Sequence, residues 1–421
     1  MLDFFLREIL WIRIPFSMSG KADHQLSRIG GTSLISLMGF YKMTFLRPNS
    51  EMSGDTRIAG DHTVNSWLDL RMEILTKPSD QSLWKSAYEM FYERISRRFL
   101  GPMEKILAGD NREGEVFAVC VIQCILIEFL EAFYLGKVYS LPKTPEEVEN
   151  RVKRHGISEV ELENLCQPNE YKSSASLFES FLTTHKPFKQ FFDDKTAGEF
   201  YKTVRCGLLH EAATKDKSKI RGDSDKGIAK DTDDGLIVYR SALSKGIQEY
   251  LESYKAELMA SDELKKGFLR KMDDVCQIRR CYYFAYGSNM DEAQLRKREV
   301  YVHETYEGHI NGWQFKYNKN STKEVSAKAN IQKTGGEQHV YGLCLEIDKS
   351  AFKHLRVKYE IGYHVIEVPV LTGESSTLVF AKTFNSESLT DLPPTEEYRE
   401  TIVRAAERLE FPEDYIRTYL G

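Results

Sequence analysis

The sequence lacks the features of a disulfide-stabilised or zinc-binding protein. Its cysteines are odd in number and scattered, and most lie inside apolar runs. They are Cys120, Cys124, Cys166, Cys206, Cys276, Cys281 and Cys344. This pattern is typical of reduced, buried thiols, so we expect a cytoplasmic protein. No two cysteines have neighbours suited to hold zinc, and we expect no metal.

Signals for secretion or for a membrane are also missing. The apolar start of the chain is interrupted by charged side chains, and no basic stretch precedes a clean apolar run. A second apolar run, at 116–135, is interrupted by Gln123, Glu128 and Glu131. These interruptions favour the central helix of a bundle over a membrane span. We therefore expect no membrane partner.

Charge of one sign is not in excess. The formal net charge of −5 gives no overall signal for nucleic acid, although net charge does not exclude a local basic patch. The composition, 41% hydrophobic and 29% charged, is typical of a globular protein with full cores. The length of 421 residues predicts two or three domains.

The first two thirds of the chain read as a loose segment followed by helices. Residues 1–65 show little periodicity and predict a poorly ordered segment. From 66 to 275, apolar side chains recur at helical spacing, which predicts an all-α helical bundle. The charged, Gly-containing stretch 215–235 is predicted to be a loop within it.

One polar pair stands out in the helical region. Arg205 and His210 are five residues apart in the run Arg-Cys-Gly-Leu-Leu-His, so their side chains are about 140° apart around a helix. A guanidinium can hold a phosphate and an imidazole can move a proton, which suits RNA cleavage. The two groups would converge if a second subunit faced the helix, so a homodimer through the bundle is a candidate assembly. The alternative is a helix-capping arginine and a hydrogen-bonded core histidine.

A helical bundle with Arg, four residues and His near the start of a late helix resembles the HEPN superfamily of RNA-binding and RNA-cleaving domains. The resemblance covers roughly residues 82–270 and rests on the motif from Arg205 to His210. It implies an RNA partner at the helical domain. Members often carry Asn, Asp or His directly after the arginine, where this chain has Cys206.

From residue 279 onward the chain has short apolar and aromatic runs with turns between them, which predict a small mixed β-barrel or sheet. The run YFAYGSNM at 283–290 is predicted to be a buried strand that ends in a Gly-Ser-Asn turn. Glycine there tolerates unusual backbone angles. A helical turn at 291–298 follows, with acids first and bases last. A strand, a polar loop and a helix start together present free N–H groups to an anion.

Further runs follow in a fixed order. They are FKYNKNS at 315–321, AKANI at 327–331, VYGL at 340–343, PTEEY at 394–398 and FPEDY at 411–415. Together with YGSNM this order resembles the γ-glutamylcyclotransferase-like (AIG2-like) family. The resemblance covers nearly all of 281–420 and implies the fold of that family there. With the helical region, we expect a two-domain α and α+β chain, with a bundle at 66–275 and a small mixed β-barrel at 279–421.

The resemblance also implies a reaction. A γ-glutamyl amine or peptide cyclises when its α-amino group attacks the γ-carbonyl, which releases an amine and 5-oxoproline. No metal or organic cofactor is needed. The loop residues Tyr286, Gly287, Ser288 and Asn289 are the predicted cradle for the α-carboxylate and the oxyanion, and Tyr398 is a further predicted substrate-binding residue.

The predicted general acid/base is Glu360. In place of the family's Leu-Asp-x-x-Glu-Gly run, the chain has Leu-Arg-Val-Lys-Tyr-Glu-Ile at 355–361. Arg356 thus replaces the Asp, and the glutamate comes one residue late. Glu346 and Glu367 are weaker candidates, because both lie in predicted strands where they would point outward.

Three functional classes remain open at this stage. The first is a cyclotransferase-like enzyme acting on a small-molecule or peptide γ-glutamyl substrate. The second is an RNA-binding or RNA-cleaving helical effector regulated by the carboxy-terminal domain. The third is a non-catalytic two-domain protein that uses both pockets for binding.

Overall fold

The computed structural model describes residues 45–109, 114–222, 227–373 and 377–421. All of these lie in one compact unit, Met43–Gly421. The predicted disorder of residues 1–65 concerns mostly positions outside the described residues. For 57–63 it is wrong, because these residues form a small hairpin whose Ile58 and Ala59 are buried.

A helical region comes first and a sheet domain follows, as predicted. The α-helices of the described residues are α1 (Val64–Thr76), α2 (Gln81–Ile95), α3 (Gly101–Leu107), α4 (Glu115–Tyr134), α5 (Pro145–His155), α6 (Glu159–Asn164), α7 (Ser174–Thr184), α8 (Asp194–Glu199), α9 (Cys206–Glu211), α10 (Arg240–Ala260), α11 (Asp262–Val275), α12 (Glu292–Lys297), α13 (Lys349–Lys358), α14 (Glu396–Arg408) and α15 (Glu413–Tyr415). The boundary predicted between 275 and 279 falls between the end of α11 and the next strand.

The strands are distributed over both regions. They are β1 (Arg57–Ala59), β2 (His62–Thr63), β3 (Val138–Tyr139), β4 (Glu170–Tyr171), β5 (Lys219–Arg221), β6 (Ala229–Lys230), β7 (Ile237–Tyr239), β8 (Arg280–Ala285), β9 (Val302–Asn311), β10 (Trp313–Asn320), β11 (Ala327–Lys333), β12 (His339–Asp348), β13 (His364–Thr372) and β14 (Thr377–Asn385).

The prediction of an all-α first region is therefore wrong in detail. The strands β1 to β7 form small sheets among the helices, and β5, β6 and β7 pair within and beside the predicted loop 215–235. The reason is burial: Leu236 and Val238 are fully buried against the helical core. Chain segments that are buried must pair their backbone groups, and strand pairing does so here.

Helix α4 lies at the centre of the helical region. It is long and apolar enough to cross a membrane by composition, but 56% of its most apolar window is buried inside the protein. Two of its polar interruptions have hydrogen-bond partners there. Gln123 donates to the Arg240 carbonyl and to Ser244 Oγ, both at 2.7 Å. Glu131 accepts from Ser180 and lies 2.7 Å from His185 Nε2. The helix thus packs as a bundle core.

The sheet domain is built around five strands that pair in the closed order β12-β8-β14-β13-β9. Neighbouring strands are antiparallel except β14 and β8, which run parallel. The hairpin β10–β11 lies beside this ring as a separate antiparallel pair. Apolar side chains from the strands and from α12, α13 and α14 fill one core. The helical region has a second core of its own.

A buried ion network joins the two regions. Arg71 of α1 donates to Asp273 of α11 at 2.9 Å and to Asp348 of β12 at 2.8 Å. Arg280 of β8 binds the other oxygen of Asp273 at 2.7 Å, and His303 of β9 lies 3.0 Å from Asp348. Although burial opposes ionisation, Arg71 and His303 hold the pKa of Asp348 below its usual value.

Asp273, His303 and Asp348 are close enough to one another to bind a metal ion. The guanidinium groups of Arg71 and Arg280 already neutralise the two carboxylates. The cluster is therefore a network of ion pairs in this structure. It connects the first helix to the sheet domain.

Candidate active site

The site forms where β8 ends. The strand buries Phe284 and Ala285, and the chain then turns through Gly287 into a short 3₁₀ turn, Ser288–Met290. Helix α12 follows, with Asp291 as its N-cap accepting from the Ala293 N–H. The predicted strand, loop and helix start are all present.

The loop leaves backbone donors free. The carbonyl groups of Gly287 and Ser288 accept bonds from Met290 and Asp291 at 2.9 and 3.2 Å. Within the described ranges, no acceptor is recorded for the N–H groups of Ser288 and Asn289. N–H groups in the first turn of a helix have no partner inside that helix. These two groups therefore remain free to donate to an anion.

Gly287 is required for space and not for backbone strain. Its φ of −119° lies outside the left-handed region, so a positive φ does not explain the glycine. A Cβ there would lie 3.2 Å from Ala329 Cβ and 3.7 Å from the Tyr398 hydroxyl. The close approach of β11 and α14 leaves no comfortable room for a side chain.

Glu360 reaches the site from the end of α13. The N–H groups of Tyr359 and Glu360 both bond to the Leu355 carbonyl at 2.9 Å. This closure turns the chain sharply after the helix and directs residue 360 towards the Ser288–Met290 turn. The glutamate is thus placed at the cavity although it comes one residue later than in the family run.

The two carboxylate oxygens of Glu360 differ in their contacts. Oε1 accepts from Asn289 Nδ2 at 3.1 Å and from Arg298 Nη1 at 2.7 Å. No hydrogen bond to Oε2 is recorded among the described residues. The Glu360 side chain is 14% exposed, so it is largely removed from bulk water. One oxygen is held and the other is free to meet a substrate.

Asn289 holds this arrangement in place. Its Nδ2 also donates to the Tyr283 hydroxyl at 2.7 Å, and its Oδ1 accepts from Arg298 Nη1 at 2.9 Å. Both ends of the amide are therefore engaged, which fixes its orientation. The side chain of Asn289 thus holds Glu360, while its backbone N–H has no recorded acceptor among the described residues.

Besides Tyr283, three further tyrosines surround the cavity with fixed hydroxyls. Tyr286 donates to the Phe384 carbonyl, and Tyr363 donates to the Ala329 carbonyl at 2.6 Å. The Tyr398 hydroxyl accepts from the Ala329 N–H at 3.2 Å. Burial raises the pKa of Tyr398 to about 12 and raises those of Tyr286 and Tyr363 further. All three stay protonated at neutral pH, and Tyr398 keeps its proton for donation.

The structure brings all the residues predicted for this site around one cavity. Its lining comprises Tyr283, Tyr286, Gly287, Ser288, Asn289, Ala329, Glu360, Tyr363, Phe384 and Tyr398. The cavity has a volume of about 30 Å³. On that measure it holds about two water molecules.

Several site residues were missed from the sequence. They are Tyr283, Ala329, Tyr363 and Phe384, none of which was predicted as a site residue. Arg298 read as a basic residue favoured by the helix dipole at the end of the 291–298 turn. Nothing in linear spacing links residue 298 to residue 360, because the contact between them depends on the folded sheet.

The alternative carboxylates are placed elsewhere. Glu346 is 5% exposed and bonds to Arg270, with Arg280 also near, so the expectation that it points outward is wrong. It faces the helical region. Glu367 accepts from Arg151 Nε at 2.9 Å. Neither lines the cavity.

The predicted RNase pair does not converge. Arg205 is buried and donates to Glu128 of α4 at 2.7 and 3.2 Å. His210 is exposed at the end of α9, and no contact between it and Arg205 is recorded in the described part of the chain. Arg205 is an ion-pair partner and not a cap, and His210 is not a core residue. RNA cleavage at this pair stays a prediction.

Comparison with known proteins supports the assignment of the sheet domain. Residues 339–419 match the model of the AIG2-like family. The predicted resemblance of the carboxy-terminal domain to that family is confirmed. No match was found among curated proteins.

Solved structures of other proteins match about a third of this chain. A gamma-glutamyl cyclotransferase is 21% identical, with 34% of this chain and 86% of that chain covered and a TM-score of 0.30. YkqA from Bacillus subtilis is 27% identical over 33% of this chain and 54% of its own, with a TM-score of 0.29. A glutathione-specific gamma-glutamyl cyclotransferase from yeast is 10% identical over 34% and 96%, with a TM-score of 0.25.

Proposed function

We propose that the sheet domain is a γ-glutamylcyclotransferase-like enzyme that forms 5-oxoproline from a γ-glutamyl amine or peptide. One observation carries the proposal. Glu360, whose Oε2 has no recorded partner among the described residues, lines a small cavity together with Ser288 and Asn289, whose N–H groups have no recorded acceptor there. A base and an anion cradle in one cavity are what an intramolecular acyl transfer requires.

The first step activates the nucleophile. The α-amino group of the substrate enters as an ammonium ion, which cannot attack a carbonyl. Glu360 Oε2 accepts a proton from it, and the resulting amine is held close to the carboxylate. The free N–H groups of the loop bind the α-carboxylate or the γ-carbonyl oxygen at the same time.

The second step forms the ring. The amine nitrogen attacks the γ-carbonyl carbon, and the oxygen of the tetrahedral intermediate carries negative charge. N–H donors and the protonated Tyr398 hydroxyl stabilise that charge. The γ-C–N bond then breaks. Two protons leave the attacking nitrogen and two arrive on the departing nitrogen through Glu360, so the carboxylate returns to its starting state.

The cavity constrains how the substrate binds. A volume of about 30 Å³ is too small for a glutamyl group. Side chains of the lining must therefore move when the substrate enters. A structure of the full chain with 5-oxoproline bound would show the cavity enlarged, and an unchanged cavity with the product bound elsewhere would contradict the proposal.

The activity itself is tested by direct product detection. The purified full chain is incubated with a panel of γ-glutamyl amines, γ-glutamyl dipeptides and glutathione, and 5-oxoproline is quantified by mass spectrometry. We expect formation of 5-oxoproline together with an equal amount of the released amine from at least one member. Absence of 5-oxoproline across the panel would favour the non-catalytic alternative.

A further inference from the structure

We propose that Arg298 is a positioning residue for Glu360, which leaves Oε2 as the atom that accepts the proton. This inference rests on the proposed function, because it assigns a role to a further residue of the same site. Its observation is separate: one nitrogen, Arg298 Nη1, binds both Glu360 Oε1 at 2.7 Å and Asn289 Oδ1 at 2.9 Å.

The position of Arg298 is itself well defined. Its N–H bonds to the carbonyl groups of Gln294 and Leu295 at 3.2 and 3.0 Å, which closes the end of α12. Its guanidinium lies 4.8 Å from the centre of the Tyr359 ring, directly before Glu360. The side chain is 15% exposed. A planar guanidinium held by an aromatic face and two acceptors has little freedom to turn.

Other charged and titratable groups near Glu360 do not replace this contact. Lys319 Nζ donates to the Ile361 carbonyl at 3.0 Å, so it faces the backbone beside the glutamate. The hydroxyls of Tyr283, Tyr363 and Tyr398 stay protonated, because burial raises the pKa of each. Among the described residues, Arg298 is the cation recorded in direct contact with the carboxylate.

This contact gives the displaced glutamate a fixed rotamer. Glu360 follows the end of α13 on a turn, and a carboxylate on a turn has more freedom than one within a helix. Donors from Arg298 and Asn289 both bind Oε1, which fixes the direction of Oε2. Catalytic groups must be held within a narrow range of geometry, and a misplacement of about 1 Å costs up to ~100-fold in rate.

The test compares three variants of the full chain with the wild type. Arg298→Ala removes the guanidinium, and Arg298→Lys keeps the charge without the planar fork. Arg296→Ala is the matched control, because Arg296 lies on the same helix and pairs with the exposed Glu292. We expect kcat to fall about 100-fold in Arg298→Ala with KM changed less than about threefold. Arg298→Lys should fall between the two, and the control should match the wild type.

Two further readouts separate positioning from a general structural role. The crystal structure of Arg298→Ala should show the Glu360 carboxylate displaced from its wild-type position, because the contact at 2.7 Å is lost. Guanidinium ion added to that variant should restore part of kcat. A loss of rate without displacement of Glu360 and without rescue would overturn the proposal, as would a kcat within twofold of the wild type.

Failure of the proposed function would show differently. If the wild type forms no 5-oxoproline, the effect of Arg298 on Glu360 is measured by comparing crystal structures of the wild type and Arg298→Ala. A Glu360 carboxylate displaced in the variant supports the positioning contact. An identical position of the carboxylate in both proteins overturns it, whatever the activity.

Discussion

Two polar sites, one in each region of the molecule, contain similar chemistry in opposite arrangements. In the sheet domain, Arg298 and Asn289 bind one oxygen of Glu360 and leave the other facing a cavity. In the helical region, Arg205 is paired with Glu128 through both carboxylate oxygens. His210, five residues on, faces solvent.

The difference shows what turns charged side chains into a reactive site. An ion pair that satisfies every polar atom is a structural element, because nothing is left to bind a ligand. An ion pair that holds one atom and frees another is a prepared site. The four predictions below set these two arrangements against each other.

The largest expected effect is at Glu360. Glu360→Gln keeps the size of the side chain but removes the proton acceptor, so 5-oxoproline formation should fall about 10²–10⁴-fold. The matched control is Glu396→Gln, on the exposed start of α14, where the carboxylate pairs with Arg399. Steady-state kinetics of both variants provide the measurement. Equal activity of Glu360→Gln and the wild type would place the base elsewhere.

The next largest effect is on folding, in the helical region. Arg205→Ala leaves Glu128 as an uncompensated carboxylate, which should lower the free energy of unfolding by about 3 kcal/mol. Turnover by the folded fraction should not change. A double variant, Arg205→Met with Glu128→Leu, should recover most of the loss, as measured by urea denaturation. If Arg205→Ala abolished RNA cleavage with no loss of stability, the structural role of the pair would be contradicted.

A smaller effect is expected from adding a side chain at Gly287, in the loop that lines the cavity. Gly287→Ala places a methyl group 3.2 Å from Ala329 Cβ, at the wall of the cavity. We expect kcat/KM to fall about tenfold, mainly through KM, with a stability cost of about 1 kcal/mol. Gly336→Ala is the control, because no atom lies within 4 Å of its added Cβ. A kcat/KM unchanged in Gly287→Ala would mean that substrate does not approach this loop.

The smallest effect is expected at His210. His210→Ala removes an exposed side chain, so the free energy of unfolding should change by less than about 0.5 kcal/mol, and 5-oxoproline formation should be unaffected. The same variant tests the RNA prediction. Integrity of total RNA after expression should be the same for His210→Ala and the wild type. Cleavage by the wild type that is lost in His210→Ala would restore the helical pair as a site.

The sequence allowed much of the sheet-domain site to be predicted, because its determinants are local. The run from Tyr283 to Met290 specifies a strand, a turn and a helix start by its own composition. The loop residues and Glu360 were chosen from such runs, and they line one cavity. The role of Arg298 could not be predicted in this way. It depends on the ends of α12 and α13 meeting in the folded protein. The separation of residues 298 and 360 in sequence matches no helix or strand repeat, so it does not predict their contact.

Similar reasoning explains the errors in the helical region. Arg205 and His210 were read from the angle between them on an ideal helix. The side chain of Arg205 is instead paired with Glu128 on α4. The position of α4 relative to Arg205 depends on helix packing, which the sequence spacing does not show. The strands β5 to β7 were missed because a charged, Gly-containing stretch reads as a loop. The pairing of these strands follows from the burial of Val238, within β7, and of Leu236, directly before it.

The ion network between α1, α11 and the sheet domain makes the two regions inseparable as parts. A protein made of residues 279–421 alone would present Asp348 without Arg71, and Glu346 without Arg270, on a surface shaped to be covered. Each broken buried pair costs about 3–5 kcal/mol, which approaches the whole stability of an ordinary domain. The helical region is therefore part of one folding unit with the sheet domain. Neither region can be joined to another protein without losing the charged side chains that pair with its own.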